Sequence, residues 1–487
     1  QIGRPMTYIQ RPGANRRRDL LILGLTCSAF LLATPRDRLA SLCRGLGLSC
    51  VLCAVVRLID KQRHQATSVE RVKSSNIHGS KRSSLAASVL NLTKNIVGAG
   101  MLSLPFAVKA GGVVPFLISI SVMGLISAYT FFLLGWCSAT VSASSFGDLW
   151  QKSVGSAWLA DLSVVLNNSL ACLAYTVLIG DFMSKALAGL MPDTVLLHRR
   201  DFDLVLVALV FLLPLSLLKN LAPLRFTSFL GLIATMYGVC LVAGDAAQVD
   251  WSEPRGAVMR NLLPLRVDVF QTIALSGSAF MAHYNAPRYH AELENNSTER
   301  WAVVVFAAYG VALVLFMFFG LCGFALFGFH VEGNVLNNYQ GGSQVMLAWL
   351  GMAFSVVFTF PLAFSSFREA SCNLLQHAGL AVGSDTFREV FTVGALAVLV
   401  LGGSTFSNVA TVNGVKGAVL SACLTFIYPA VIQLQLSGMR RSTRLVRGMR
   451  RVSFGLIGLG LSSGVLALLS MFVLPQTDFS RFVVEDV

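Results

Sequence analysis

A lysine, Lys94, lies inside an apolar stretch of the sequence, NLTKNIVGAGMLSLPFAVKAGG (residues 91–112). Gly98-Ala99-Gly100 and then Pro105 follow it. A charge near the middle of a bilayer costs at least about 2.5 kcal/mol, so Lys94 is a candidate functional residue. The glycines and the proline favour a helix interruption, whose exposed peptide groups can bind an ion or a carboxylate. The alternative is that Lys94 snorkels to the interface or forms a structural pair.

A second apolar stretch, VFQTIALSGSAFMAHYNAPRYHAEL (residues 269–293), carries a similar interruption. Small residues occupy 276–279, and His283, Asn285 and Pro287 follow. Paired interruptions at corresponding positions of two halves indicate the midplane binding site of a transporter. Unwound turns expose backbone N–H groups, which can bind the carboxylate of an α-amino acid, and backbone C=O groups, which can bind its ammonium.

The composition requires a membrane to hold both stretches. The 487 residues are 55% hydrophobic and 13% charged, with a mean hydropathy of +0.68. Soluble domains carry about 25% charged residues, so the chain is predicted to be an all-α polytopic membrane protein. The net charge of +14 is explained by basic loops facing the cytosol, so nucleic acid is not an expected partner and the lipid bilayer is. Cys50 and Cys53 lack a second cysteine pair, so no metal site is expected.

Eleven apolar runs predict eleven transmembrane helices, with helices 1 and 6 discontinuous. The runs are 84–108, 112–137, 158–184, 202–218, 224–244, 268–289, 301–328, 343–366, 390–410, 415–436 and 452–474. They divide into two five-helix repeats of inverted topology, 84–244 and 268–436, then an eleventh helix at 452–474 and a C-terminal tail at 475–487. The arginine-rich loop SGMRRSTRLVRGMRR (437–451) places the N-terminus in the cytosol. Lys416 is assigned to an outer loop.

Residues 1–83 differ from the rest of the chain. They are rich in arginine and poor in acids around two short apolar runs, 20–34 and 39–56. This composition fits either an organelle-targeting segment or a dispensable cytosolic tail, and the sequence does not decide between them.

Several ordered motifs resemble the amino acid/auxin permease family, which belongs to a superfamily with the LeuT-type fold. They are LNLTKNIVGAGMLSLPFAVKAGG (90–112), VLIGDFMSKAL (177–187), LPLSLLKNLAPLRFTSFLGLI (213–233), FMAHYNAPRYHAEL (280–293) and FTFPLAFSSFRE (358–369). The resemblance covers residues 84 to about 474 and implies a secondary transporter of neutral amino acids that works by alternating access. It also implies a vacuolar, lysosomal or plasma membrane.

The resemblance and the interruptions together define the candidate site. The substrate-binding candidates are Thr93, Val97, Gly98, Ala99, Gly100, Asn168, Ser276, Gly277, Ser278 and Phe280. The ion-coupling candidates are Lys94 and Thr359. Sodium-coupled relatives carry an asparagine where this chain has Lys94, whereas the threonine of the eighth span is kept as Thr359. The ammonium can replace the missing cation, which favours a proton or uncoupled exchange, but both H⁺ and Na⁺ stay open.

Other readings remain at this point. A membrane sensor that binds amino acids with little flux uses the same site. An enzyme is disfavoured because the sequence has no phosphate loop, no H-E-x-x-H and no nucleophile–base constellation. No cofactor is expected. His283 is interpreted as a structural histidine more readily than a titrating one. Asp181 and Lys185, four residues apart, are expected to form an ion pair.

Overall fold

The computed structural model describes residues 83–474, except 192, 194–198, 219–223, 250–251, 265, 381 and 439–443. The N-terminal tail, apart from Ser83, and the C-terminal tail therefore lie outside the described residues. Throughout the described part, the regular secondary structure is helical, with one isolated bridge between Ser83 and Leu293.

Seventeen α-helices, numbered in chain order, make up the described part. They are α1 (Leu85–Ile96), α2 (Leu104–Gly111), α3 (Val113–Thr140), α4 (Phe146–Val154), α5 (Trp158–Leu190), α6 (Arg200–Val207), α7 (Leu213–Leu217), α8 (Leu224–Gln248), α9 (Ser252–Arg260), α10 (Val269–Ala279), α11 (Ala286–Glu292), α12 (Thr298–Phe327), α13 (Ser343–His377), α14 (Asp385–Thr405), α15 (Val409–Lys416), α16 (Tyr428–Gly438) and α17 (Arg444–Phe472).

Short 3₁₀ and π segments join several of these helices. The 3₁₀ turns are Ala99–Ser103, His283–Asn285, Gly328–His330 and Val335–Asn338. The π segments are Ala208–Leu212 and Gly417–Ile427. The second π segment lies between α15 and α16 and is 11 residues long. Because π turns are rare and concentrate at functional sites, the helices that contact this segment are candidates for the functional site.

Serine side chains cap the N-termini of four helices. Ser84, Ser145, Ser297 and Ser384 accept hydrogen bonds from backbone N–H groups three residues later, at 3.1–3.4 Å. A short hydroxyl satisfies one of the four N–H groups that a helix start leaves unpaired. The polar residues between the apolar runs therefore set where these helices begin.

Eight helices of the described part are long and apolar enough to cross a membrane, or nine if the bent pair 85–96 and 99–111 counts as one span. The predicted fourth span is built from α6, a π turn and α7, and the predicted sixth span is built from the two short helices α10 and α11. Neither passes the same length and hydropathy test. The structure thus supports a polytopic helical bundle, but it does not confirm the predicted number of eleven transmembrane helices.

The boundary between the predicted ninth and tenth spans is wrong in the sequence analysis. Helix α14 ends at Thr405, and α15 begins at Val409 rather than at residue 415. Asn408 fixes this start, because its Oδ1 accepts from Ala410 N at 2.9 Å and Thr411 N at 3.4 Å. The assignment of Lys416 to an outer loop is therefore also wrong, since this lysine lies inside the candidate span Val409–Ser437.

Helix α5 runs through the bundle and packs extensively against α13, with further contacts to α6, α14 and α15. Helix α10 packs against α2, α3, α15 and the π segment 417–427. The closest approach is at Gly417, where a Cβ atom would overlap the carbonyl of Ala274. Glycine is required there because the two backbones touch.

Candidate binding site at the two helix breaks

The first predicted break is present at Val97 and Gly98. Helix α1 ends at Ile96, Val97 donates its N–H to Thr93 O at 2.7 Å, and Gly98 is extended with φ −132° and ψ −166°. The chain resumes in a 3₁₀ turn and α2, at a bend of 43° to α1. Pro105 occupies the first turn of α2, where its missing N–H costs nothing.

Open space adjoins this break. A Cβ atom added at Gly98 or Gly100 would meet no heavy atom within 4 Å. Neither glycine has a positive φ, so backbone strain does not explain why these positions lack side chains. The space beside the free peptide groups is the simplest physical reason for glycine here, and it leaves room for a ligand.

The second break comes later than the sequence analysis placed it. Helix α10 continues through Ser276, Gly277 and Ser278 to Ala279, and the non-α segment is 280–285. Gly277 lies in a tight contact with Ser421 and Met123, so its missing side chain serves helix packing. The chain becomes α-helical again at Ala286, and Pro287 lies in the first turn of α11, where its missing N–H needs no partner.

Phe280 is buried at the start of this second break. Its ring packs against those of Tyr309 and Phe316, with centroids 6.0 Å and 5.1 Å apart, and its side chain is 0% exposed. Its carbonyl accepts a hydrogen bond from Tyr309 Oη at 3.4 Å. These contacts give Phe280 a packing role between α10 and α12.

His283 bridges two other elements from inside the break. Its Nε2 lies 2.9 Å from Thr130 Oγ1 on α3, and its Nδ1 lies 3.4 Å from Thr425 Oγ1 in the π segment. Thr130 also donates to Ile126 O at 2.8 Å, so its oxygen can accept from Nε2–H and both groups are then satisfied. The predicted structural role of His283 agrees with these contacts.

Three of the predicted binding side chains are buried without partners. Ser276 Oγ, Ser278 Oγ and both amide atoms of Asn168 have no hydrogen bond to the part of the chain that the structure describes. An unsatisfied buried polar group costs about 1–3 kcal/mol. These groups are therefore available to a polar ligand, although they lie on two different helices, α10 and α5.

Lys94 and Thr359 are not joined in the structure. Lys94 lies in the last turn of α1, where the helix dipole favours a cation, and it has no hydrogen bond or ion pair among the described residues. Thr359 Oγ1 donates to Ser355 O of its own helix at 2.7 Å. No hydrogen bond therefore joins the two predicted ion-coupling residues in the described structure.

A polar cluster that the sequence analysis did not find lies at the N-terminal end of α6. Asp181 accepts from Arg200 Nε at 2.8 Å and from Asn337 Nδ2 at 2.9 Å. The expected pair of Asp181 with Lys185 is therefore wrong, because Lys185 donates to the carbonyl of Asn337 instead. These partners are distant in sequence, and no local signal in the sequence marks them.

This cluster borders a cavity of about 440 Å³. The segment 328–339 forms one wall and is tied to several helices: Lys109 of α2 donates to Val331 O at 3.3 Å, and Trp349 of α13 donates to Leu336 O at 3.0 Å. Tyr339 donates to Asp245 of α8 at 2.8 Å, and burial together with this bond raises the pKa of Tyr339. The phenol therefore remains a donor at neutral pH.

The sequence profile described as "Transmembrane amino acid transporter protein" matches residues 81–469. The chain belongs to the transmembrane amino acid transporter family. Membership identifies a transporter rather than an enzyme. It also agrees with the resemblance read from the motifs around the two breaks.

Three curated relatives of this family member come from a plant, a fish and a yeast. "Amino acid transporter AVT6E" of Arabidopsis thaliana is 25% identical over 392 residues, covering 76% of this chain and 80% of the relative. "Putative sodium-coupled neutral amino acid transporter 11" of Danio rerio is 25% identical over 403 residues, covering 81% and 87%. "Vacuolar amino acid transporter 2" of Saccharomyces cerevisiae is 24% identical over 381 residues, covering 74% and 78%.

Solved structures show the fold of this family member. MhsT in complex with L-phenylalanine superposes with a TM-score of 0.51 at 12% identity, covering 78% of this chain and 98% of that one. The inward-facing conformation of Mhp1 superposes with a TM-score of 0.52 at 14% identity, covering 86% and 96%. These neighbours have the LeuT-type fold, as the resemblance implied.

Proposed function

We propose that this protein is a secondary active transporter that moves amino acids across a membrane by alternating access. The proposal includes eleven spans arranged as two inverted repeats of five plus one. The observation that carries it is the break at Val97 and Gly98, with a 43° bend and open space at both Gly98 and Gly100. A break of this kind in the first helix and another at 280–285 fit the paired discontinuous helices of such transporters.

The substrate lies at these breaks in our proposal. The first N–H groups of the 3₁₀ turn that starts at Ala99 have no partner within the turn, and they suit a carboxylate. The remaining contacts come from neighbouring positions, namely Thr93, Val97, Gly98, Gly100, Asn168, Ser276 and Ser278. Gly277 and Phe280 are left out because both are packed against other helices.

The transport is coupled to H⁺ or Na⁺ in this proposal. Lys94, which has no partner in the described structure, supports a proton-linked or cation-replacing role. The zebrafish relative is named as sodium-coupled, which keeps Na⁺ as the other candidate. A vacuolar, lysosomal or plasma membrane is the proposed location, since one yeast relative is named as vacuolar.

Flux into reconstituted vesicles tests this function directly. The purified protein is placed in liposomes, and uptake of radiolabelled alanine, leucine, glutamine and glutamate is followed with a proton gradient or a sodium gradient imposed separately. Uptake that rises several-fold with one gradient is the expected result. Binding of the same amino acids without uptake under either gradient would favour a sensor, and neither binding nor uptake would reject the proposal.

A further inference from the structure

Lys416 lies inside a candidate membrane span, in contrast to its predicted position in an outer loop. It is the last residue of α15 and lies directly before the π segment 417–427. The candidate span Val409–Ser437 contains this lysine. It is the most enclosed of the eight candidate spans in the described part, with 72% of its apolar stretch buried inside the protein. Lys416 has no hydrogen bond, ion pair or ring contact within the residues that the structure describes.

The direction of Lys416 follows from its neighbours on α15. Gly414 faces Met471 of the peripheral helix α17. Two residues on an α-helix are about 200° apart, so Lys416 points away from α17. Asn413 donates to Ser103 Oγ at 3.3 Å, at the end of the 3₁₀ turn of the first break. Lys416 follows Asn413 by three residues, about 4.5 Å along the same side of the helix.

The helices around α15 enclose this side. Helix α15 packs mainly against α5, α10, the 3₁₀ turn Ala99–Ser103 and the π segment that follows it. Asn168 on α5 and Ser276 on α10 are the buried polar groups without partners described above. Lys416 thus lies on the face of α15 that adjoins the first break, among elements that carry other unpaired polar groups.

An ammonium in this position needs a counter-charge. Lys416 is partly buried. A charge without a partner is costly inside a membrane, and intramembrane lysines normally pair or line a ligand path. Asp181 is already held by Arg200 and Asn337, and no described carboxylate contacts Lys416. A negatively charged ligand would supply the missing partner.

We propose that Lys416 binds the side-chain carboxylate of the substrate, so that this transporter prefers acidic amino acids to their neutral amides. This inference rests on the proposed function, in which the peptide groups at the first break hold the α-carboxylate. The ammonium of Lys416, on a helix that contacts the same break, can then pair with a second carboxylate on the substrate side chain. The inference departs from the neutral substrate class that the family resemblance implied.

Paired uptake of glutamate and glutamine tests the proposal, because the two differ by one charge at nearly constant shape. The measured quantity is the ratio of glutamate to glutamine uptake, with aspartate and asparagine as a second pair. We expect a ratio above one for the unaltered protein and a fall of at least about tenfold in Lys416→Gln, as for a lost charged hydrogen bond. Lys416→Arg should restore part of the ratio.

The exposed lysine Lys152, outside the spans and paired with Asp148 at 2.9 Å, provides the matched control. Lys152→Gln should leave the ratio unchanged. Thermal unfolding of each purified variant, with and without glutamate, shows whether it is folded and whether it binds the acid. If Lys416→Gln lowers both uptakes equally, or if glutamine is carried and glutamate neither binds nor moves, the proposal is overturned while transport stands. Loss of all uptake in the unaltered protein would instead reject the proposed function.

Discussion

The Nε2 atom of His283 lies 2.9 Å from Thr130 Oγ1, so a residue of the second helix break is tied to α3. On its other side the same ring reaches Thr425 in the π segment, at 3.4 Å. The Phe131 ring packs against the imidazole in a T-shaped arrangement, with centroids 5.8 Å apart. One fully buried side chain thus joins three elements at the point where the sixth predicted span stops being helical.

Replacement of His283 by leucine is therefore expected to lower the stability of the bundle. The change leaves the hydroxyls of Thr130 and Thr425 without the ring, at a cost of about 1–3 kcal/mol. The apparent unfolding temperature in detergent micelles measures the effect. In a double-mutant cycle with Thr130→Val, the two changes should be less than additive because they remove one contact. Fully additive losses would show that the hydrogen bond contributes nothing.

Filling the open space at the first break should stop transport without unfolding the protein. Gly100→Leu places a side chain where nothing lies within 4 Å, so we expect at least tenfold less uptake at nearly unchanged unfolding temperature. Gly310→Leu is the matched control, because this exposed glycine of α12 also has no heavy atom within 4 Å of an added Cβ. Equal uptake by the two variants would remove the first break from the substrate site.

Lys94 should determine which ion drives uptake. Lys94→Asn removes an ammonium that has no partner in the described structure and introduces the asparagine that the family resemblance implies for sodium coupling. We expect uptake by the variant to gain a dependence on sodium and to lose part of its dependence on pH. Uptake is measured against pH and sodium concentration separately, with Lys152→Asn as the control outside the spans. If both dependences stay as in the unaltered protein, Lys94 has no part in coupling.

The first break could be predicted from the sequence because its cause is local. Gly98, Gly100 and Pro105 are poor helix residues, and a lysine beside them in an apolar run is an additional signal. The second break was predicted too early in the chain because Gly277, like Gly98 and Gly100, is a glycine among small residues. In the structure, however, Gly277 lies inside a continuous helix. Its small size serves a contact with Ser421, which is 144 residues away in the chain, and no local pattern reveals that contact.

Lys416 was misassigned for a related reason. The stretch around residues 402–418 is only weakly apolar, so hydropathy does not locate the start of α15. Asn408 did carry the signal, since an asparagine before an apolar run is a typical N-cap. Pairings such as Asp181 with Arg200 and Asn337 depend on how distant helices meet, and the expected i, i+4 rule fails where a stronger partner is available.

The Asp181 carboxylate is expected to hold residues 328–338, most of the wall segment 328–339, against α5. Its two oxygens accept separately from Arg200 and from Asn337, and in Asp181→Asn only one acceptor oxygen remains for these two donors. Amide hydrogen exchange in peptides from this segment should therefore quicken by about tenfold or more, since breaking a largely buried charged pair is costly. Asp148→Asn, which breaks the exposed pair with Lys152, is the control and should leave this exchange unchanged. Exchange in 328–338 that stays equally slow in Asp181→Asn would show that Lys109, Lys185 and Trp349 hold the segment without the carboxylate.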